Sequence, residues 1–209
     1  MSLSKIFVVL ILGISVFCSS VEAEIVTTLD FRSGGEVGAA FDMGTVVGTP
    51  VSANITAIPG LTITALGAAT DTTAVLNATA DRFGINSDGA DDSDGFETNF
   101  GESITFTFNQ DVTILDIEFE DVDDSADSTD VIEFGGVTLP GTDLGSGDTF
   151  TFSPPLFFAA GAPVLLQEIS GNGFALQSFT IEVSAVPEPG SLALFGLGSV
   201  LVMARRRRR

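Results

Sequence analysis

Ser103-Ile104-Thr105-Phe106-Thr107-Phe108 and Leu115-Asp116-Ile117-Glu118-Phe119-Glu120 alternate polar and apolar residues without interruption. A period of two sends Ile104, Phe106 and Phe108 to one face of an extended strand, and Ser103, Thr105 and Thr107 to the other. The second run does the same with Leu115, Ile117 and Phe119 inward, and carboxylates outward. Equal alternation marks Leu61-Ile63-Ala65, Ile132-Phe134, Phe150-Phe152 and Phe179-Ile181-Val183. Phe174 and Leu176 precede the last run in the opposite parity, so the spacing predicts a β-bulge near Ser178. Breaks at Gly34-Gly35, Pro59-Gly60, Gly135-Gly136, Pro140-Gly141, Gly145-Ser146-Gly147 and Pro154-Pro155 separate the runs. No window of helical length shows a 3.6-residue period. One wet face, one buried face and closely spaced turns predict an all-β fold, an antiparallel β-sandwich that is jelly-roll-like.

Composition narrows the chemistry. The 209 residues include no His, Trp or Tyr, one Cys and 18 Phe. Without His there is no Ser-His-Asp triad, no imidazole base and no His-ligated zinc. Residues 24–186 carry 26 acidic side chains against two basic ones, Arg32 and Arg82, a formal charge near −24. Nucleic acid and anionic lipid surfaces repel such a body. Of the 18 Phe, 15 fall in this body, on the inward parity of strands where strands can be read, so they form its core.

Both ends read as processing signals. Lys5 precedes a 12-residue apolar run, Ile6 to Phe17, and Val21-Glu22-Ala23 offers a small-residue cleavage site, so the spacing predicts a secretory signal peptide over 1–23 cut between Ala23 and Glu24. Acylation at Cys18 is disfavoured by the bulk of Phe17 before it. At the other end come Val186-Pro187-Glu188-Pro189, an apolar stretch from Ser191 to Ala204, and Arg205 to Arg209. The apolar stretch has no polar face and ends in a cationic stop, which predicts a single short C-terminal transmembrane helix with its arginines in the cytoplasm.

These three parts in this order resemble the PEP-CTERM sorting signal of Gram-negative bacteria. The resemblance covers residues 186–209 together with the N-terminal signal. It implies an exosortase, a membrane-embedded processing enzyme, that recognises Pro187, Glu188 and Pro189 and removes the tail. It further implies export to the cell envelope, outer surface or extracellular matrix. The expected organisation is a signal peptide over 1–23, an acidic β-sandwich over 24–185 and the sorting signal over 186–209.

Two acidic clusters invite a cation. Asp88, Asp91, Asp92, Asp94 and Glu97 surround Gly89 and Gly95, and Glu118, Glu120, Asp121, Asp123, Asp124, Asp127 and Asp130 form a second group. Oxygen ligands on a glycine-containing loop suit Ca²⁺, which takes 6–8 oxygens at about 2.3–2.6 Å. The Asp92-x-Asp94-Gly95 core lacks the remaining EF-hand ligands, since Ala90 and Gly101 stand where acids are needed. Solvated turns account for the same residues without a metal. A glycosidase would need a carboxylate pair such as Glu118 or Glu120 with Glu133, yet the chain offers no Trp or Tyr on which to stack a sugar. Asn54-Ile55-Thr56 and Asn77-Ala78-Thr79 match the N-glycosylation pattern, which a Thr-rich chain produces by chance. The expectation is a non-catalytic structural or adhesive envelope protein. The alternative is a calcium-dependent module that binds polysaccharide or a surface partner.

Overall fold

The structure is a computed structural model that describes residues 24–41, 44–80, 82–86, 101–120, 131–140, 149–170 and 173–184. The alternating runs form two antiparallel sheets. The first follows the order β11 (Thr149–Phe158), β8 (Val112–Glu120), β13 (Ala175–Ser184), β6 (Phe83–Asn86), β5 (Val75–Ala78) and β2 (Thr45–Val46), and β1 (Glu24–Asp30) also pairs with β13. The second follows the order β10 (Val137–Pro140), β9 (Val131–Phe134), β12 (Pro163–Ser170), β7 (Ser103–Phe108), β4 (Thr62–Ala68) and β3 (Val51–Asn54). A single turn of helix, α1 (Gly38–Phe41), follows β1. From β6 onward the pairs nest: β6 with β13, β7 with β12, β8 with β11, β9 with β10.

Phenylalanine joins the sheets. Phe106 of β7 meets Phe179 of β13 edge-on with centroids 5.1 Å apart, and Phe134 of β9 reaches the same ring at 5.1 Å. Phe134 also stacks on Phe152 of β11 at 5.7 Å. Such offset and edge-to-face pairs add about 0.5–1.5 kcal/mol each to the burial of their area. Ile63, Ala65, Ile104, Phe106, Phe108, Ile132 and Phe134 are all buried, as the alternation predicts.

Two slips in register shape the first sheet. Leu176 pairs with Phe119 but Ser178 with Glu118, so Gln177 is the extra residue of a bulge. This is the slip predicted near Ser178, and it lets Leu176, Phe179, Ile181 and Val183 all face the core. The Gln177 carbonyl at this bulge accepts from the Phe31 amide at 2.8 Å. A second slip corrects the sequence reading of β8. Thr180 pairs with Asp116 and Ile181 with Ile114, which leaves Leu115 as an extra residue. Leu115 is therefore half-buried, and Ile114 takes the inward position before it. Pro154-Pro155 also differs from a simple turn. It lies within the span of β11 in a four-residue irregularity between Thr151 and Leu156, on the outer edge of the sheet where missing amide donors cost no ladder bond. Of the two glycosylation-like triplets, Asn54 is exposed while Asn77 is buried in β5.

The Gly135-Gly136 break is a two-residue hairpin loop joining β9 to β10, with Val137 opposite Phe134. Both φ angles are positive, 56° and 84°, the backbone of a type I′ turn. A Cβ on Gly136 would meet nothing, whereas one on Gly135 would press into the Phe158 ring at 2.5 Å. Gly136→Ala should therefore cost about 1 kcal/mol of backbone strain alone. Gly135→Ala should cost about 1 kcal/mol more, because the ring must move. Urea midpoints of the two variants check the order, and equal midpoints would refute the role given to Phe158.

Where β1 turns toward α1, Asp30 accepts from the Arg32 backbone amide at 3.0 Å and from its guanidinium at 2.8 and 2.6 Å. These side-chain hydrogen bonds from Arg32 hold the Asp30 carboxyl below the usual carboxylate range. A lowered folded-state pKa gives stability that is present above the unfolded value and lost as pH falls through the folded one. The pair is about a third exposed, so its worth is about 1 kcal/mol or less. Asp30→Asn should flatten the loss of stability below about pH 4. Thermal melts of both proteins between pH 3 and pH 6 would show it, and parallel curves would count against it.

Candidate functional site

Antiparallel pairing fixes which strand ends lie together. β6, β8, β10 and β12 finish at one end of the sandwich, and β7, β9, β11 and β13 begin there. The connections 87–102, 121–130, 141–148 and 171–174 all attach at that end. The opposite end carries the short links 109–111, 135–136 and 159–162. It also carries the start of β1 and the finish of β13. Thr28 and Thr180 hydroxyls touch at 3.2 Å, and Phe31 pairs with Gln177. Carried along the ladder, this register sets Val26 opposite Glu182 and Glu24 opposite Ser184. Chain entry and chain exit from the body thus share one corner, and both acidic connections attach at the far end.

Asp88, Asp91, Asp92, Asp94 and Glu97 lie outside the described residues, as do Asp121, Asp123, Asp124, Asp127 and Asp130. Among the described residues no group of three or more acidic side chains is placed to hold a metal ion. The far end does hold two buried carboxylates, Glu102 at 3% exposure and Glu168 at 8%. Sequence reasoning passed over Glu168, although the signal was there. Val164, Leu166 and Glu168 share the inward parity of β12, and Glu102 shares it with Ile104, Phe106 and Phe108 on the neighbouring strand. Leu166 pairs with Ile104 and Gln167 with Ser103, so the next step of the ladder sets Glu168 beside Glu102. The Gly173 amide donates to Glu168 Oε1 at 3.0 Å, which ties β12 to the start of β13.

Of the carboxylates considered for glycoside hydrolysis, Glu118 and Glu133 are not brought together, and the Glu120 side chain lies outside the described residues. Glu118 lies between inward Ile117 and Phe119 of the first sheet, and accepts from the Ser178 hydroxyl at 2.9 Å. Glu133 lies between inward Ile132 and Phe134 of the second sheet, and accepts from Gln167 Nε2 at 2.7 Å. The two therefore face away from each other on opposite outer surfaces. Asp71 serves its own turn: the Thr73 amide and hydroxyl donate to it at 2.8 and 2.7 Å, and the amide chiefly lowers its pKa.

Past Ser184 the chain runs into Val186-Pro187-Glu188-Pro189, the apolar stretch and the arginines. Residues 185–209 match the family model described as the PEP-CTERM protein-sorting motif. This segment is a PEP-CTERM motif. The match begins one residue before the boundary read from the sequence and directly abuts the end of β13. The PEP-CTERM motif implies an exosortase as processing partner, and export to the surface of a Gram-negative bacterium. Neither a curated protein nor a solved structure matches the chain. Among the described residues no helix is long and apolar enough to cross a membrane. The transmembrane stretch read within the motif lies outside them, as do Ala23, the signal segment 1–23 and Pro187, Glu188 and Pro189.

Proposed function

We propose that the chain is exported through a cleaved signal over residues 1–23 and delivered by its sorting motif as a non-catalytic structural or adhesive component of the envelope or extracellular matrix. The observation that carries this reading is the motif at 185–209, which follows directly on the last strand of the β body. The nested strand pairs β6–β13, β7–β12, β8–β11 and β9–β10 support a jelly-roll reading of that body. The separation of Glu118 from Glu133 favours a role without hydrolysis. Replacing Glu188 by Ala should leave the tail uncleaved and the protein retained with membranes. Fractionation of host cells, with mass spectrometry of the surface protein, tests it, and normal release of the variant would sink the reading.

A calcium-dependent binding module is the second reading, favoured by one specific observation. The two acidic connections attach at the same end of the sandwich, where Glu102 and Glu168 are buried side by side. Buried carboxylates are stabilised by hydrogen bonds or cations. For a site with a Kd near 10 μM, 1 mM free Ca²⁺ should add about 2.7 kcal/mol and raise the melting midpoint by several degrees over EDTA. Glu168→Gln should shrink that shift. Equal midpoints in Ca²⁺ and EDTA would leave the acidic connections as solvated surface.

A further inference from the structure

We propose that the β1–β13 corner, centred on Val26, Thr28, Thr180 and Glu182, is a docking surface for the membrane enzyme that cleaves the sorting motif. The inference rests on the exosortase reading of residues 185–209 and adds to it a contact outside the motif. Chain length is the first argument. β13 ends at Ser184, and Pro187 is the third residue after it. Three residues reach at most about 10–11 Å even when fully extended. An active site that grips Pro187-Glu188-Pro189 therefore has its rim against the body within that radius, unless β13 is unzipped. Unzipping is costly, because Phe179, Ile181 and Val183 are buried and β13 pairs with β8, β6 and β1.

The surface within reach is the second argument. Val26 is 55% exposed on β1, an apolar side chain standing among polar outward neighbours. The ladder register places it across from Glu182, and the Thr28–Thr180 hydroxyl contact closes the row beneath. This gives one apolar knob, one carboxylate and two hydroxyls beside the chain exit. The acidic connections attach at the opposite end of the sandwich, and salt screens exposed charge beyond about 8–10 Å.

The test uses the full chain in an exosortase-bearing host, with tail removal followed by pulse-chase. Val26→Arg adds bulk and charge at the knob, yet faces Glu182 across the strands and so preserves the sheet. It should slow processing at least threefold at native spacing. The same substitution in a chain with twelve Gly/Ser residues inserted after Ser184 should process at the rate of the spacer-bearing parent. Unchanged processing of Val26→Arg at native spacing would overturn the docking surface. Equal slowing with and without the spacer would overturn it too, since the effect would then lie in folding or export. Glu188→Ala separates the two levels: if its tail is removed normally, the motif reading fails and the docking surface falls with it. If its tail stays on while Val26→Arg has no effect, the motif reading stands and the docking surface alone is wrong.

Discussion

Phe31→Ala should lower the thermal midpoint of the body by about 10 °C, the largest effect of any single core truncation considered. The ring sits just past β1, fully buried, and touches four others: Phe179 at 4.8 Å, Phe106 at 5.3 Å, Phe83 at 5.6 Å and Phe41 at 6.0 Å. These belong to both sheets and to α1, so no one element can move in to fill the space. Removing a buried Phe costs about 3–5 kcal/mol, toward the upper end where the cavity cannot collapse. For a body of this size each kcal/mol is worth about 2–4 °C. Phe157→Ala is the matched control, because that ring is 63% exposed at the edge of the first sheet. It should change stability by no more than about 0.5 kcal/mol. Similar losses for the two variants in scanning calorimetry would mean that the Phe31 cluster is not the keystone of the core.

Gly38→Ala should be nearly as damaging through a single methyl group. A Cβ at this position would overlap the backbone carbonyl oxygens of Phe31 and Arg32. Those atoms cannot swing aside as a side chain can. Phe31 is pinned by the hydrogen bond that its backbone amide donates to the Gln177 carbonyl, and Arg32 by its hydrogen bonds to Asp30. The clash must displace α1 from the core, with Phe41 on it, at a cost of about 3 kcal/mol. Gly34→Ala is the fair comparison, since a Cβ there would meet nothing within 4 Å and its φ is not positive. It should be within about 0.5 kcal/mol of the parent. If urea unfolding finds the two alanine variants equally stable, the close approach at Gly38 is not a constraint.

Much of this architecture was legible from period two alone, because burial on one face is a local property of each strand. The parity change between Leu176 and Phe179 even located a bulge. The same rule misplaced Leu115, because Leu115-Ile117-Phe119 reads as perfect alternation while Ile114 competes for the inward site. The core chose Ile114 and Val112, and the extra residue was left at Leu115. Glu102 and Glu168 were hidden by the habit of assigning carboxylates to solvent, although both lie on inward parity. Strand order was illegible for a deeper reason. Which strand pairs with which depends on contacts between residues far apart in the chain, and nothing in the local pattern of β13 says that its partners are β8, β6 and β1. The shared corner of entry and exit, and the gathering of both acidic connections at the far end, follow from that order and from nothing nearer. The sorting motif was readable because it is a linear signal.

The placement of β13 has a consequence for the order of events in the cell. It is the last strand of the body, yet it lies between β8 and the β1–β6 side of its sheet and supplies Phe179 to the aromatic core. A growing chain that has emerged only as far as Gly173 therefore has two sheet edges with their central member missing. At that point the second sheet has all of its strands, while the first lacks the one that joins its two halves. Joining of the first sheet therefore waits for the last strand of the body. For an exported chain, as the PEP-CTERM motif implies, a sheet that joins only with its last strand delays burial of the aromatic core until nearly the whole body has been made.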